Sequence, residues 1–246
     1  MGTLWHSFGI VAASSLLGIV PAFADQQPHG DFAMAFQGSP GLASTAPGSP
    51  LTLQTDNLRM EALVMWAGPP NQGGVIVYNG HGCCSGWGIL LLGDADGADA
   101  HKLAVLAGGV TIVTAPVTLP VGEWTHVVME RRAQDVMLSV GGTGKHDPVQ
   151  TFDLGIIPAN PVGVDNRPVA GGTVRTTEKL SVGENFNGLV DNVAVTALDT
   201  NETLDSWRFN DVTGFIATGS QGHVLNLQSA EWIDISHDQG VDDNHD

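Results

Sequence analysis

Asp94-Ala95-Asp96-Gly97-Ala98-Asp99 sets three carboxylates within one short stretch, around a glycine that permits a sharp bend. Oxygen ligands spaced in this way suit a hard cation, and calcium is the ion expected if Asp94, Asp96 and Asp99 converge. The stretch lacks the downstream bidentate glutamate of an EF-hand loop, which excludes that motif. Its other reading is a solvated hairpin turn, where Asp-Gly is common. Trp66, Tyr78 and Trp87 form a second set, each beside a glycine-rich turn. An aromatic face can stack on a sugar ring, so these three are the expected ligand-binding residues; the competing reading places them in a core.

Catalytic patterns fail one after another. A retaining glycosidase needs two carboxylates flanking the bond, and a Glu followed two residues later by Asp would project both from one strand face. Glu61, Glu123, Glu130, Glu178, Glu184, Glu202 and Glu231 all lack that partner. In Gly82-Cys83-Cys84-Ser85-Gly86 the serine is displaced from the nucleophile-elbow position. Gly144-Lys145 is followed by His146, so the hydroxyl of a phosphate loop is missing. No catalytic residue is expected. Trp124, His126 and Val128 share a face, and if that face is the core His126 is held neutral by one hydrogen bond, to backbone. Leu189, Asp191, Val193 and Val195 point the same way, so Asp191 needs a partner. A hydrogen-bond anchor is the first reading for Asp191 and calcium the second.

The elements that must position these residues are strands. Leu58, Met60, Ala62, Val64 and Trp66 alternate on one face, while the other turns from Arg59 and Glu61 to Leu63 and Met65. That pattern predicts a strand covered on both faces. Short runs follow at Val75–Tyr78, Trp87–Leu92, Leu103–Ala107, Val110–Thr114, Trp124–Met129 and Val136–Val140, with turn formers between them. Later runs lie at Leu180–Val182, Leu189–Val195, Trp207–Phe209, Val224–Leu227 and Trp232–Ile235, and an earlier one at Phe32–Phe36. The prediction is all-β, an antiparallel two-sheet sandwich. Asn160–Thr173 is an irregular loop long enough to form a functional rim.

Trp5 to Val20 is mostly apolar, and Pro21-Ala22-Phe23-Ala24 offers the small residues of a cleavage site. Residues 1–24 therefore read as a signal peptide, and the product as secreted or periplasmic. No second long apolar stretch follows, so no membrane span is expected. Residues 25–235 suffice for one domain, and residues 236–246 form an acidic tail expected to be disordered. A net charge of −17 argues against nucleic acid as partner, since clustered Lys and Arg are missing. Cys83 and Cys84 are adjacent. Adjacent α-carbons lie about 3.8 Å apart and an ordinary disulfide wants at least about 4.4 Å. A strained vicinal bridge, an intermolecular bridge and two buried thiols all stay open.

Several segments, in order, carry a family resemblance. These are Phe36-Gln37-Gly38, Leu58 to Val64 with Trp66, Gly86-Trp87-Gly88-Ile89, Trp124-Thr125-His126 after the turn at Pro120-Val121-Gly122, and Phe186 to Val193. Across Ala33 to Thr196 the chain resembles the laminin-G-like jelly-roll domains of the concanavalin A-like lectin and glucanase superfamily. It departs from their pattern with Gln37 for an aspartate and Asn192 for a glutamate. The resemblance implies a recognition domain for glycan or protein that sometimes holds calcium. The expected function is an exported, non-catalytic carbohydrate-binding domain. A domain that docks an extracellular or envelope protein is the alternative, and a polysaccharide hydrolase or lyase comes third.

Overall fold

The computed structural model describes residues 32–38, 40–49, 51, 57–81, 85–107, 111–142, 149–157, 179–210 and 214–235. In chain order the strands are β1 (Phe32–Gln37), β2 (Leu42–Ser44), β3 (Leu58–Trp66), β4 (Gly74–His81), β5 (Ser85–Leu91), β6 (Lys102–Ala107), β7 (Thr111–Thr118) and β8 (Trp124–Arg132). They continue with β9 (Asp135–Gly141), β10 (Val149–Ile156), β11 (Lys179–Val182), β12 (Asn187–Ala197), β13 (Glu202–Trp207), β14 (Ile216–Thr218), β15 (Val224–Gln228) and β16 (Ala230–Asp234). The first sheet runs β10-β9-β8-β3-β12-β1-β16, with β13 joined to β12. The second runs β14-β15-β2-β11-β4-β5-β6-β7. The fold is the antiparallel two-sheet sandwich that the alternation predicts.

Period-two patterning explains the core. Met60, Ala62, Val64 and Trp66 of β3 enter it, as do Val127 and Met129 of β8. Trp87, Ile89 and Leu91 of β5 and Val105 of β6 meet them from the second sheet. Each fully buried large side chain of this kind is worth about 1.5–3 kcal/mol. Leu63, on the opposite face of β3, is also fully buried, so this strand is covered on both faces as expected.

The structure corrects two assignments of face. Trp124, His126 and Val128 do share a face, but alternation with Val127 and Met129 sets it away from the inter-sheet core. Val193 lies in that core, so it does not share an interior with Trp124. Strand β12 is bulged: its register against β3 shifts between Asp191 and Ala194, where Asn192 takes φ 49°. The extra residue sends Val190, Val193 and Val195 to the core and leaves Asp191 opposite Leu63 on the outer side. The strand expected at Trp207–Phe209 instead ends at Trp207, because Phe209 adopts φ 53°. The segments 1–24, 160–173 and 236–246, and the two cysteines, lie outside the described residues.

Candidate functional site

A hollow of about 540 Å³ lies on the outer face of the second sheet, within the size range of small-ligand sites. Strand alternation builds it. Trp87, Ile89 and Leu91 point inward on β5, so Leu90 points outward; Leu106 of β6 and Tyr78 of β4 do the same. Ile112 of β7, half exposed at 50%, extends this apolar floor. Tyr78 pairs across strands with Gly88, where a Cβ would come within 2.6 Å of the tyrosine ring. Glycine at that position lets the ring lie across its neighbour.

The rim is polar. Lys179 and Ser181 stand on β11, Glu184 and Asn185 on the turn after it, and Asp96 at the opposite end. That turn is fixed by the Asn185 amide donating to Gly41 O, with Asn185 at φ 60°. The side chains of Lys179 and Glu184 make no hydrogen bond or ion pair with a described residue. One cation and one anion that no described residue engages thus stand above an apolar floor.

The aromatic residues singled out by their turns separate. Tyr78 borders the hollow, although only 4% of its surface is exposed. Trp66 and Trp87 are each 3% exposed and face inward. The Trp66 ring lies 5.0 Å from that of His101, and Trp87 lies under the Arg131 guanidinium, 4.4 Å from ring centroid to charge. Arg131 is fully buried on the inner face of β8, and burial pushes its pKa down to about 10. The indole face offsets part of that desolvation.

Asp94, Asp96 and Asp99 share one short 3-10 segment with a kink at Gly97. Each carboxylate goes its own way. Asp94 accepts from the Asn71 amide at 2.9 Å and pairs with His101 Nε2. His101 first, and the Asn71 N–H second, hold the Asp94 carboxyl below its usual range. Asp96 accepts from the Gly93 amide at 2.6 Å, closing the turn, and Asp99 pairs with Lys102 at 2.8 Å. Among the described residues no three His, Cys, Asp or Glu side chains converge as a cation site. As placed, this donor set does not fit calcium.

The outer face of the first sheet holds a charged ladder that sequence reasoning missed. Arg59 donates to Glu61 at 2.8 Å and lies 4.0 Å from Glu130, which in turn accepts from Arg132 at 3.3 Å. His126 Nε2 stands 3.2 Å from Glu61 Oε2, so a carboxylate lies beside the ring. Burial pushes the Glu61 carboxyl up, but His126 and Arg59 outweigh it and the net direction is down. Asp191 accepts from the adjacent Asn192 amide at 2.7 Å. Strand register could not be seen locally: Leu63 stands opposite both His126 and Asp191, which brings three distant segments together.

No protein-family model matches the chain, and no curated protein matches it in sequence. Among solved structures it is similar to a candidate carbohydrate binding protein from Bacteroides ovatus, with 14% identity and a TM-score of 0.52. That match covers 83% of this chain and 60% of the other, so the chain spans less than two thirds of the Bacteroides protein. Mouse laminin alpha1 domains LG4-5 align with a TM-score of 0.43 and 14% identity, over 75% of this chain and 45% of that one. The SAP-like pentraxin of Limulus polyphemus aligns at 0.40 with 11% identity, over 80% and 95%. The likeness to the Bacteroides protein is one of fold, a β-sandwich.

Proposed function

We propose that this chain is an exported, non-catalytic glycan-recognition domain of laminin-G-like type, with its ligand in the hollow on the second sheet. The observation that carries this reading is the pairing of an apolar floor (Leu90, Leu106, Ile112 and the edge of Tyr78) with Lys179 and Glu184, whose side chains no described residue engages. A sugar ring has an apolar face and a rim of hydroxyls that both donate and accept. The floor takes the first, and opposite charges on the rim take the second. A neutral sugar fits this mixed rim better than an anionic one. The carbohydrate-binding description of the Bacteroides protein is in keeping with the reading.

A catalytic role is disfavoured by the ladder on the first sheet. Glycoside cleavage needs one carboxyl kept protonated by a raised pKa. Glu61 is shifted the other way, and Glu130 is engaged by arginines. Calcium is not required, because Asp94, Asp96 and Asp99 are closed by protein donors.

A glycan array probed with the secreted protein, with and without EDTA, tests the reading. Binding to a neutral glycan family under both conditions is expected. Silence on every glycan, or capture of a stoichiometric envelope protein without sugar competition, would overturn it. Intact-mass measurement of the secreted product should give a chain beginning at Asp25.

A further inference from the structure

A second hollow, of about 500 Å³, lies where β13 runs out beside the β14–β15 hairpin, and its chemistry differs from the first. Arg208 is exposed on its wall and makes no ion pair or hydrogen bond with a described residue. The chain has 26 acidic residues and only 9 Lys and Arg, so an arginine that no described carboxylate engages calls for a reason. Among the described residues the nearest acid in sequence, Asp205, is not available to it. Asp205 is fully buried and accepts from the Ser206, Gln221 and His223 amides, the Ser220 hydroxyl and His223 Nδ1. Five donors saturate its two oxygens.

The other walls are built and held. Trp232 lines the hollow half-buried, with its indole N–H donating to Gly214 O at 3.2 Å. The Phe209 ring packs against it at 5.9 Å, inclined by 58°. Ser206 donates to Ser220 at 3.0 Å and Ser220 passes the bond on to Asp205, which orients both hydroxyls. The hollow therefore combines a fixed indole, oriented hydroxyls and a guanidinium that no described residue engages.

We infer that this hollow is a second saccharide site, selective for a sugar bearing a carboxylate. The guanidinium forks onto the carboxylate through two parallel N–H donors. Trp232 covers the apolar face of the ring, and the serine pair meets its hydroxyls. A chain of charge −17 repels an acidic ligand at long range. At physiological salt that field is screened beyond about 8 Å, so the local contact decides. This inference does not rest on the first hollow, since the two share no lining residue.

Titration by NMR with a glucuronic-acid-terminated disaccharide, its glucose-terminated counterpart and sodium acetate tests it, with the Trp232 indole signal as reporter. The acidic disaccharide should shift that signal and bind at least about tenfold more tightly than the neutral one, the scale of one charge-assisted contact. Arg208→Gln should abolish the preference while leaving the melting temperature unchanged, and Trp232→Ala should weaken binding of both sugars. Lys179→Ala should change none of this, whatever becomes of the first hollow. Equal affinities for the two disaccharides, an unchanged preference in Arg208→Gln, or acetate binding as tightly as the acidic sugar would each overturn the inference.

Discussion

The two outer faces of the sandwich treat charge in opposite ways. On the first sheet, Glu61, His126, Arg59, Glu130 and Arg132 form a linked ladder, with His126 and Glu130 buried and the others partly buried. On the second, Lys179 and Glu184 border one hollow and leave each other alone. The first set and Lys179 occupy strand positions that alternate with core residues, whereas Glu184 stands on the turn after β11. The difference is whether a neighbour neutralises them. Charges that satisfy one another hold a sheet together, and charges left over above an apolar floor are free to meet a ligand.

The largest effect should come from breaking the paired face. Glu61→Ala leaves His126 and Arg59 buried beside an empty acceptor and should cost about 3–5 kcal/mol, read by chemical denaturation. A loss below about 0.5 kcal/mol would mean the ladder is a surface feature of little weight. Next comes Gly88→Ala, whose methyl would meet the Val77 carbonyl oxygen and stand 2.6 Å from the Tyr78 ring. Because backbone must move, a loss of about 1–3 kcal/mol is expected together with weaker glycan binding. If stability falls but binding is untouched, Tyr78 does not shape the hollow.

Acid should separate the faces further. Glu61 lies below its ordinary value of 4.5 in the folded protein. Its depressed pKa contributes stability that is fully present above that value and is lost as the pH falls through the folded one. Glu61→Gln should therefore flatten the acid limb of a stability–pH curve while leaving Lys179→Ala with the parental slope. The smallest stability effect belongs to the unpaired rim. Lys179→Ala and Glu184→Ala should stay within about 0.5 kcal/mol of the parent.

Much of the architecture was legible because period-two alternation is local. Leu58 to Trp66 announces both its faces, and Leu63 confirms the covered outer one. Alternation says which residues share a face, however, and not which face is inside. That is why the shared face of Trp124 and His126 left open which side is the core, and the interior belongs to Val127 and Met129. The bulge at Asn192 escaped for a related reason: one left-handed residue inverts every residue after it. An Asp-Asn pair within an apolar run was the available signal, since asparagine tolerates that conformation.

The site was harder to read. Trp66 and Trp87 stand beside turns, yet turn proximity does not reveal burial, and both serve the core. Asp94, Asp96 and Asp99 are close in sequence, but their turn presents amides, His101 and Lys102 closer than one another. Lys179 and Glu184 come about a hundred positions after Tyr78, and only the pairing of β11 with β4 unites them. A hint was present in Gly80, Gly86 and Gly88 around Tyr78, small residues that leave room above a sheet.

Calorimetric titration of the array-selected neutral glycan into the parent protein and into a Lys179→Ala, Glu184→Ala double variant tests the central claim most directly. The account predicts an affinity loss of about a hundredfold or more, roughly two charge-assisted hydrogen bonds, with an unchanged melting temperature. Equal affinities in the two proteins would contradict it.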